Sequence, residues 1–135
     1  DALPAEADIL RRSLFFYRGI CLHKLGREDE AQTVLIQALD AGFIPENSEE
    51  ALCAGRALIA AGRAEAAVPI LEVAALRAVD SDAALWAALG QAHFQSGSIT
   101  LSLSAFKESL RIAPNQAGVL AQRASALILR SSLWR

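Results

Sequence analysis

Methionine is missing altogether from the 135 residues, and the first residue is Asp1. Asp1 is therefore not a native translation start, and the expectation is a processed end or a piece cut from a longer protein. Cysteine is scarce: Cys21 and Cys53 are the two there are. A pair excludes a disulfide framework, and their separation matches no metal-ligand spacing. Both sit among apolar residues, where a free thiol behaves as a small hydrophobe; a reducing, cytoplasmic compartment fits that usage. Long apolar runs are also lacking. The best candidate, Ala51 to Ala61, is broken by Arg56 and followed by Arg63, well short of the roughly 20 apolar residues of a spanning helix. No membrane insertion is expected, and no basic start with an apolar stretch and cleavage site marks a signal peptide. Nor is there an excess of positive charge. The net charge is −2, which argues against nucleic acid as a partner, since phosphate binding draws on surplus lysine and arginine.

The groups that carry chemistry are equally thin. Cys21 and His23 stand two apart, which on a helix turns them to different sides and rules out a nucleophile–base pair. His93 is far from His23 in sequence, so a histidine metal site is not expected. The carboxylates cluster as Glu28-Asp29-Glu30 and Glu49-Glu50, each near a predicted helix start, where negative charge suits the helix dipole. No glycine loop of phosphate-cradling pattern is present. Catalytic residues, cofactor ligands and metal ligands are all expected to be none, and the chain is not read as an enzyme.

What is present is a folded, repetitive chain. It is 53% hydrophobic and 21% charged, too apolar for a disordered segment. Charge is unevenly spread: up to Asp82 there are 14 acidic and 8 basic residues, and from Ala83 onward 1 acidic and 5 basic. Such polarity can steer a partner or promote end-to-end stacking. Glycine sets the beat. Gly19, Gly55 and Gly90 are 36 and 35 residues apart, and Gly26, Gly62 and Gly97 keep step seven residues later. Ala31, Ala67 and Ser102 recur in phase, as do Leu35, Leu71 and Phe106, and then Ala38, Ala74 and Ser109. A period in this range means a stacked repeat.

In each copy the second glycine is placed to end a helix, supplying the left-handed backbone favoured there. Ala31, Leu35 and Ala38, like Ala67, Leu71 and Ala74, follow the i, i+4, i+7 spacing of one apolar helix face. The first glycine falls inside a helix, where it costs about 1 kcal/mol against alanine. That cost implies a close neighbour, and the small residues Ala31, Ala67 and Ser102 are expected opposite. Pro69 lies early in its helix, where a missing N–H is least costly. Residues 117–129 read as another helix, with Leu120, Ala124 and Leu127 in the buried slots. Its Leu127-Ile128-Leu129 and Leu133-Trp134 suit a free surface poorly, so an array cut short is favoured over a cap.

The stretch Trp86-x-x-Leu89-Gly90-x-x-His93, followed by Ser102, Phe106 and Pro114, resembles the tetratricopeptide repeat. That family's pattern is Trp-x-x-Leu-Gly-x-x-Tyr, then a small residue, Phe and Pro, over about 34 residues. His93 stands in the tyrosine slot and is expected to be a core residue with a hydrogen-bond partner. The resemblance covers roughly residues 12 to 131. It implies an all-α fold, a right-handed α-solenoid of antiparallel helix pairs. The divisions are a lead-in at 1–11, repeats at 12–47, 48–82 and 83–116, and a capping helix or truncated fourth repeat at 117–135.

Stacked pairs line an inner wall with their first helices. Displacing each buried stripe by one residue places Phe16, Ile20 and His23 there from the first pair. The second pair gives Leu52, Arg56 and Ile59, and the third Ala87, Gln91 and Phe94; the last helix would add Ala121, Ser125 and Ile128. An apolar wall with two polar handles suits a protein or peptide with apolar anchors, or self-association. A subset of the family grips the C-terminal carboxylate of chaperone tails with lysine, asparagine and arginine. The matching positions hold Phe16, Ile20, Cys53, Ala84 and Ala88, so that ligand is not expected. The length and apolar wall look more like the helical-repeat chaperones of bacterial secretion systems. The function expected is a protein-interaction module, adaptor or chaperone-like, within a larger protein. The alternatives are a scaffold self-associating through its ends, or a regulatory repeat region fused to an enzyme.

Overall fold

The computed structural model describes residues 3–78 and 82–133. Among them are seven α-helices and no strand: α1 (Leu3–Lys24), α2 (Glu28–Asp40), α3 (Ser48–Ala60), α4 (Ala64–Arg77), α5 (Ala83–Gln95), α6 (Ile99–Ile112) and α7 (Ala117–Leu133). Trp134 lies outside the described residues. The chain divides into two compact units, Asp1–Glu46 and Asn47–Arg135, taken in turn.

In the first unit α1 and α2 form one hairpin. The turn is set by Gly26, whose φ of 81° is open to glycine at little cost. Gly26 N–H donates to the His23 carbonyl and Arg27 N–H to that of Leu22, at 3.0 and 2.9 Å, the paired bonds of a Schellman C-terminus. Leu22, Ala31 and Val34 form a buried cluster beside the turn. A turn further out, a Cβ built on Gly19 would lie 2.6 Å from Leu35 Cγ. The tight contact is therefore with the large residue sixteen positions on, and not with Ala31 as the pattern suggested. Beyond α2 the chain turns at Gly42 (φ 102°), and Phe43 stacks on Phe16 with ring centroids 4.1 Å apart and planes 15° from parallel. Arg12 Nη1 donates to the carbonyls of Ala41 and Gly42 at 3.2 and 3.3 Å, placing a cation at the negative end of α2.

The second unit repeats the device twice. Gly62 and Gly97 take φ of 78° and 89°, with the same paired bonds from Arg63 N–H to Leu58 O and from Ser98 N–H to His93 O, both 2.8 Å. A Cβ on Gly55 would fall 2.5 Å from Leu71 Cδ2, and one on Gly90 2.5 Å from the Phe106 ring. The sixteen-residue relation thus holds in all three hairpins, and the small residues lie to the side of it. Ser102 nevertheless closes on the same glycine, its Oγ donating to Gly90 O at 2.9 Å.

The helix starts alternate in kind. Helices α3 and α5 carry side-chain caps: Asn47 Oδ1 accepts from Glu50 N–H at 2.9 Å, and Asp82 Oδ1 from the N–H groups of Ala84 and Leu85. Glu50 answers by accepting from Asn47 Nδ2 at 2.8 Å, a reciprocal capping pair. The second helices α2, α4 and α6 have no side-chain cap; each is entered directly from its glycine turn. Pro69 is the sixth residue of α4, beyond the first turn whose N–H groups are free anyway, so the helix runs on with one bond fewer.

Packing links each helix of this unit to the next, and also α3 to α5 and α5 to α7. Helices α3, α5 and α7 therefore form a row. Its last member, α7, buries Val119 and Ala126, one residue off the expected stripe. Leu120 is 47% exposed and Ala124 is exposed, because the helix meets only α6 and the edge of α5. A part-buried chain of hydrogen bonds braces this end. Ser109 Oγ donates to Ala83 O at 2.8 Å, and Gln116 Nε2 donates to Ser109 O and Ala113 O at 3.0 and 2.7 Å.

Candidate interaction site

The wall expected on the first helices is divided by the structure into buried and accessible members. Phe16, fully buried under Phe43, is a core residue and offers a ligand no surface. Nothing in the periodicity of α1 indicates that burial, because its cover, Phe43, folds back from beyond the end of α2. Ile20 and Ile59 are 8% and 6% exposed, so they back the wall instead of facing a partner. His23 stays half-buried, its Nδ1 2.9 Å from the Glu28 carboxylate across the hairpin turn.

In the second unit α3 and α5 are in contact, which brings the remaining members onto neighbouring rods. Leu52, Ala87, Gln91 and Phe94 are half-buried, and Arg56 is exposed. Neither the Arg56 guanidinium nor the Gln91 amide is paired with another group among the described residues. On α7, Ala121 and Ser125 are exposed, and Ile128 is 69% exposed. The surface is thus apolar in its body with two open polar handles, the combination that fixes orientation in a binding cleft.

His93 is a core residue at 8% exposure. Burial lowers its pKa below the ordinary histidine value, and the Glu72 carboxylate partly offsets that. Its ring makes no hydrogen bond with the described residues, contrary to the expectation of a bonded partner. Cys21 is exposed and Cys53 half-buried, and the two are not joined in a disulfide. Among the described residues no group of three histidine, cysteine or carboxylate side chains could hold a metal ion, and no helix is long and apolar enough to cross a membrane.

Helix pairs, glycine-turned and glycine-packed at a fixed period, define an all-α helical-repeat protein. Within the second unit, residues 52–117 match the family model described as Tetratricopeptide repeat. Solved structures agree on the fold. MamA 41-end from Desulfovibrio magneticus RS-1 superposes with a TM-score of 0.70 at 20% identity, over 89% of this chain and 66% of that one. A MamA structure of strain AMB-1 gives 0.69 at 22%, over 89% and 69% of the two chains. The first TPR of Spaghetti (RPAP3), bound to the HSP90 peptide SRMEEVD, gives 0.69 at 16%, over 89% and 93%. The chain thus spans just under two thirds of the first MamA structure. No curated protein matches it.

Proposed function

We propose that this chain is a protein-interaction module whose first-helix surface on α3 and α5 takes a peptide or helix with apolar anchors. The observation that carries the reading is the pairing of half-buried Leu52, Ala87 and Phe94 with Arg56 and Gln91, polar groups with open hydrogen-bonding capacity. Apolar surface supplies the driving force; the guanidinium, with its fixed fork of donors, selects a carboxylate or carbonyl on the partner. The RPAP3 domain of similar fold is bound to an HSP90 peptide. Here Phe16, Ile20, Cys53, Ala84 and Ala88 replace the lysine, asparagine and arginine of carboxylate-gripping relatives, so a ligand with apolar anchors is favoured over an acidic tail. An adaptor or chaperone-like role within a longer protein follows from that preference. The reading is one of binding, with no nucleic acid and no catalysis assigned.

Self-association is the second reading, favoured by one observation: Ile128 and Leu133 of α7 are 69% and 71% exposed. Co-purification with the longer parent protein, repeated with Arg56→Glu and Phe94→Ala, separates the two. Loss of about tenfold or more in affinity for one discrete partner, with helical circular dichroism unchanged, supports the α3–α5 surface. Undiminished binding by both variants refutes it, and a concentration-dependent dimer in light scattering moves the assignment to α7.

A further inference from the structure

The second unit has another concavity, made by the side of α5 that faces its second helices. Helices α4, α5 and α6 enclose a pocket of about 460 Å³, walled by Trp86, Leu89 and Ala105 and reached by the His93 ring. None of the residues of the α3–α5 surface lines it, so it stands or falls independently of the function proposed above.

Three features define what fits. The first is His93 itself. More than nine-tenths buried, it carries one donor and one acceptor when neutral, and burial holds it in the neutral form. Neither ring nitrogen is engaged by a described residue, so the ring's donor and its acceptor are both open to a partner. The second is the rim. Leu76 and Leu101 line the pocket yet are 58% and 54% exposed, and Val73, one turn before Leu76, is 50% exposed. A pocket for a small molecule encloses most of its ligand; an apolar rim left this open instead extends the contact along α4 and α6, on the scale of a polypeptide. The third is charge. Glu108 at the mouth is held by Arg111 Nε at 3.0 Å, while Glu72 and Lys107, also at the mouth, form no ion pair among the described residues. One open carboxylate and one open ammonium balance, so neither sign is favoured in the ligand.

We propose that this pocket docks an uncharged, leucine-sized side chain of a partner polypeptide, with the adjoining main-chain amide hydrogen-bonded to the His93 imidazole. The occupant is a segment of another protein, distinct from the ligand of the α3–α5 surface.

The test uses the isotope-labelled 135-residue chain and three capped heptapeptides, identical glycine–serine sequences except for a central leucine, lysine or glutamate. The leucine peptide is expected to shift the Trp86 indole and the amides of Leu101 and Ala105 saturably, binding about fivefold tighter than the other two, roughly 1 kcal/mol. His93→Phe should weaken it by a similar factor. Leu101→Ser, on the exposed rim and outside the core, should do the same and serves if His93→Phe fails to fold. Absence of saturable shifts, equal affinity for the three peptides, tighter binding of a charged one, or shifts confined to Arg56, Gln91 and Phe94 would each overturn the proposal.

Discussion

Helices α5 and α7 are in contact and each carries one glycine, yet they are buried very differently. Helix α5 buries Leu85, Ala88, Leu89, Gly90, Ala92 and His93, whereas α7, though longer, buries Val119 and Ala126. Gly90 is met by the Phe106 ring; Gly118 has nothing within 4 Å of where a Cβ would stand. Helix α5 holds Leu85 and Leu89 and no isoleucine, whereas α7 holds four leucines and Ile128, so apolar content does not explain the difference. The difference is in neighbours: among the described residues α5 is packed by α3, α4, α6 and α7, whereas the packing of α7 is chiefly with α6 and, more slightly, with α5. An apolar stripe becomes core only where a second rod arrives to cover it.

Substitution breaks that comparison most sharply at its largest contact. Phe106→Ala should destabilise the second unit by about 3–5 kcal/mol in chemical denaturation, while Ile128→Ala stays within about 0.5 kcal/mol; similar losses at both would erase the distinction. A smaller effect is expected at the two glycines, with opposite signs. Gly118→Ala gains up to about 1 kcal/mol of helix propensity. Gly90→Ala, its Cβ pressed against a rigid ring, loses about 1–3 kcal/mol through overpacking, and the loss should vanish in a Phe106→Ala background. The mildest effect is with pH. The His93 pKa is lower folded than unfolded, so between about pH 6.5 and that lower value the unfolded chain binds the proton first and stability falls as pH falls. Thermal unfolding at pH 7.5 and 5.5 should show that loss in the natural chain, and His93→Phe should reduce it.

The glycine beat made the helix pairs, their turns and their order legible in sequence, because φ above zero and a missing Cβ are demands that few other residues meet. Which residue meets Gly19, Gly55 or Gly90 was not legible, since spacing along one helix does not fix its rotation against another. The stripe of α7 slipped by one for the same reason. In the candidate site, Arg56, Gln91 and Leu52 could be placed from periodicity. Phe16 could not, because its cover comes from Phe43, beyond the end of α2. The pocket around His93 left only a faint trace: a histidine where relatives of this pattern carry tyrosine. That exchange trades a phenol for a smaller ring and so leaves room.

The sixteen-residue link between each packing glycine and its large partner also bears on how the chain comes off the ribosome. Socket and plug lie within one helical hairpin, so a closing contact is available as soon as that hairpin has emerged. Such short-range closure favours rapid folding, and each hairpin can set its own register before the following one has been made.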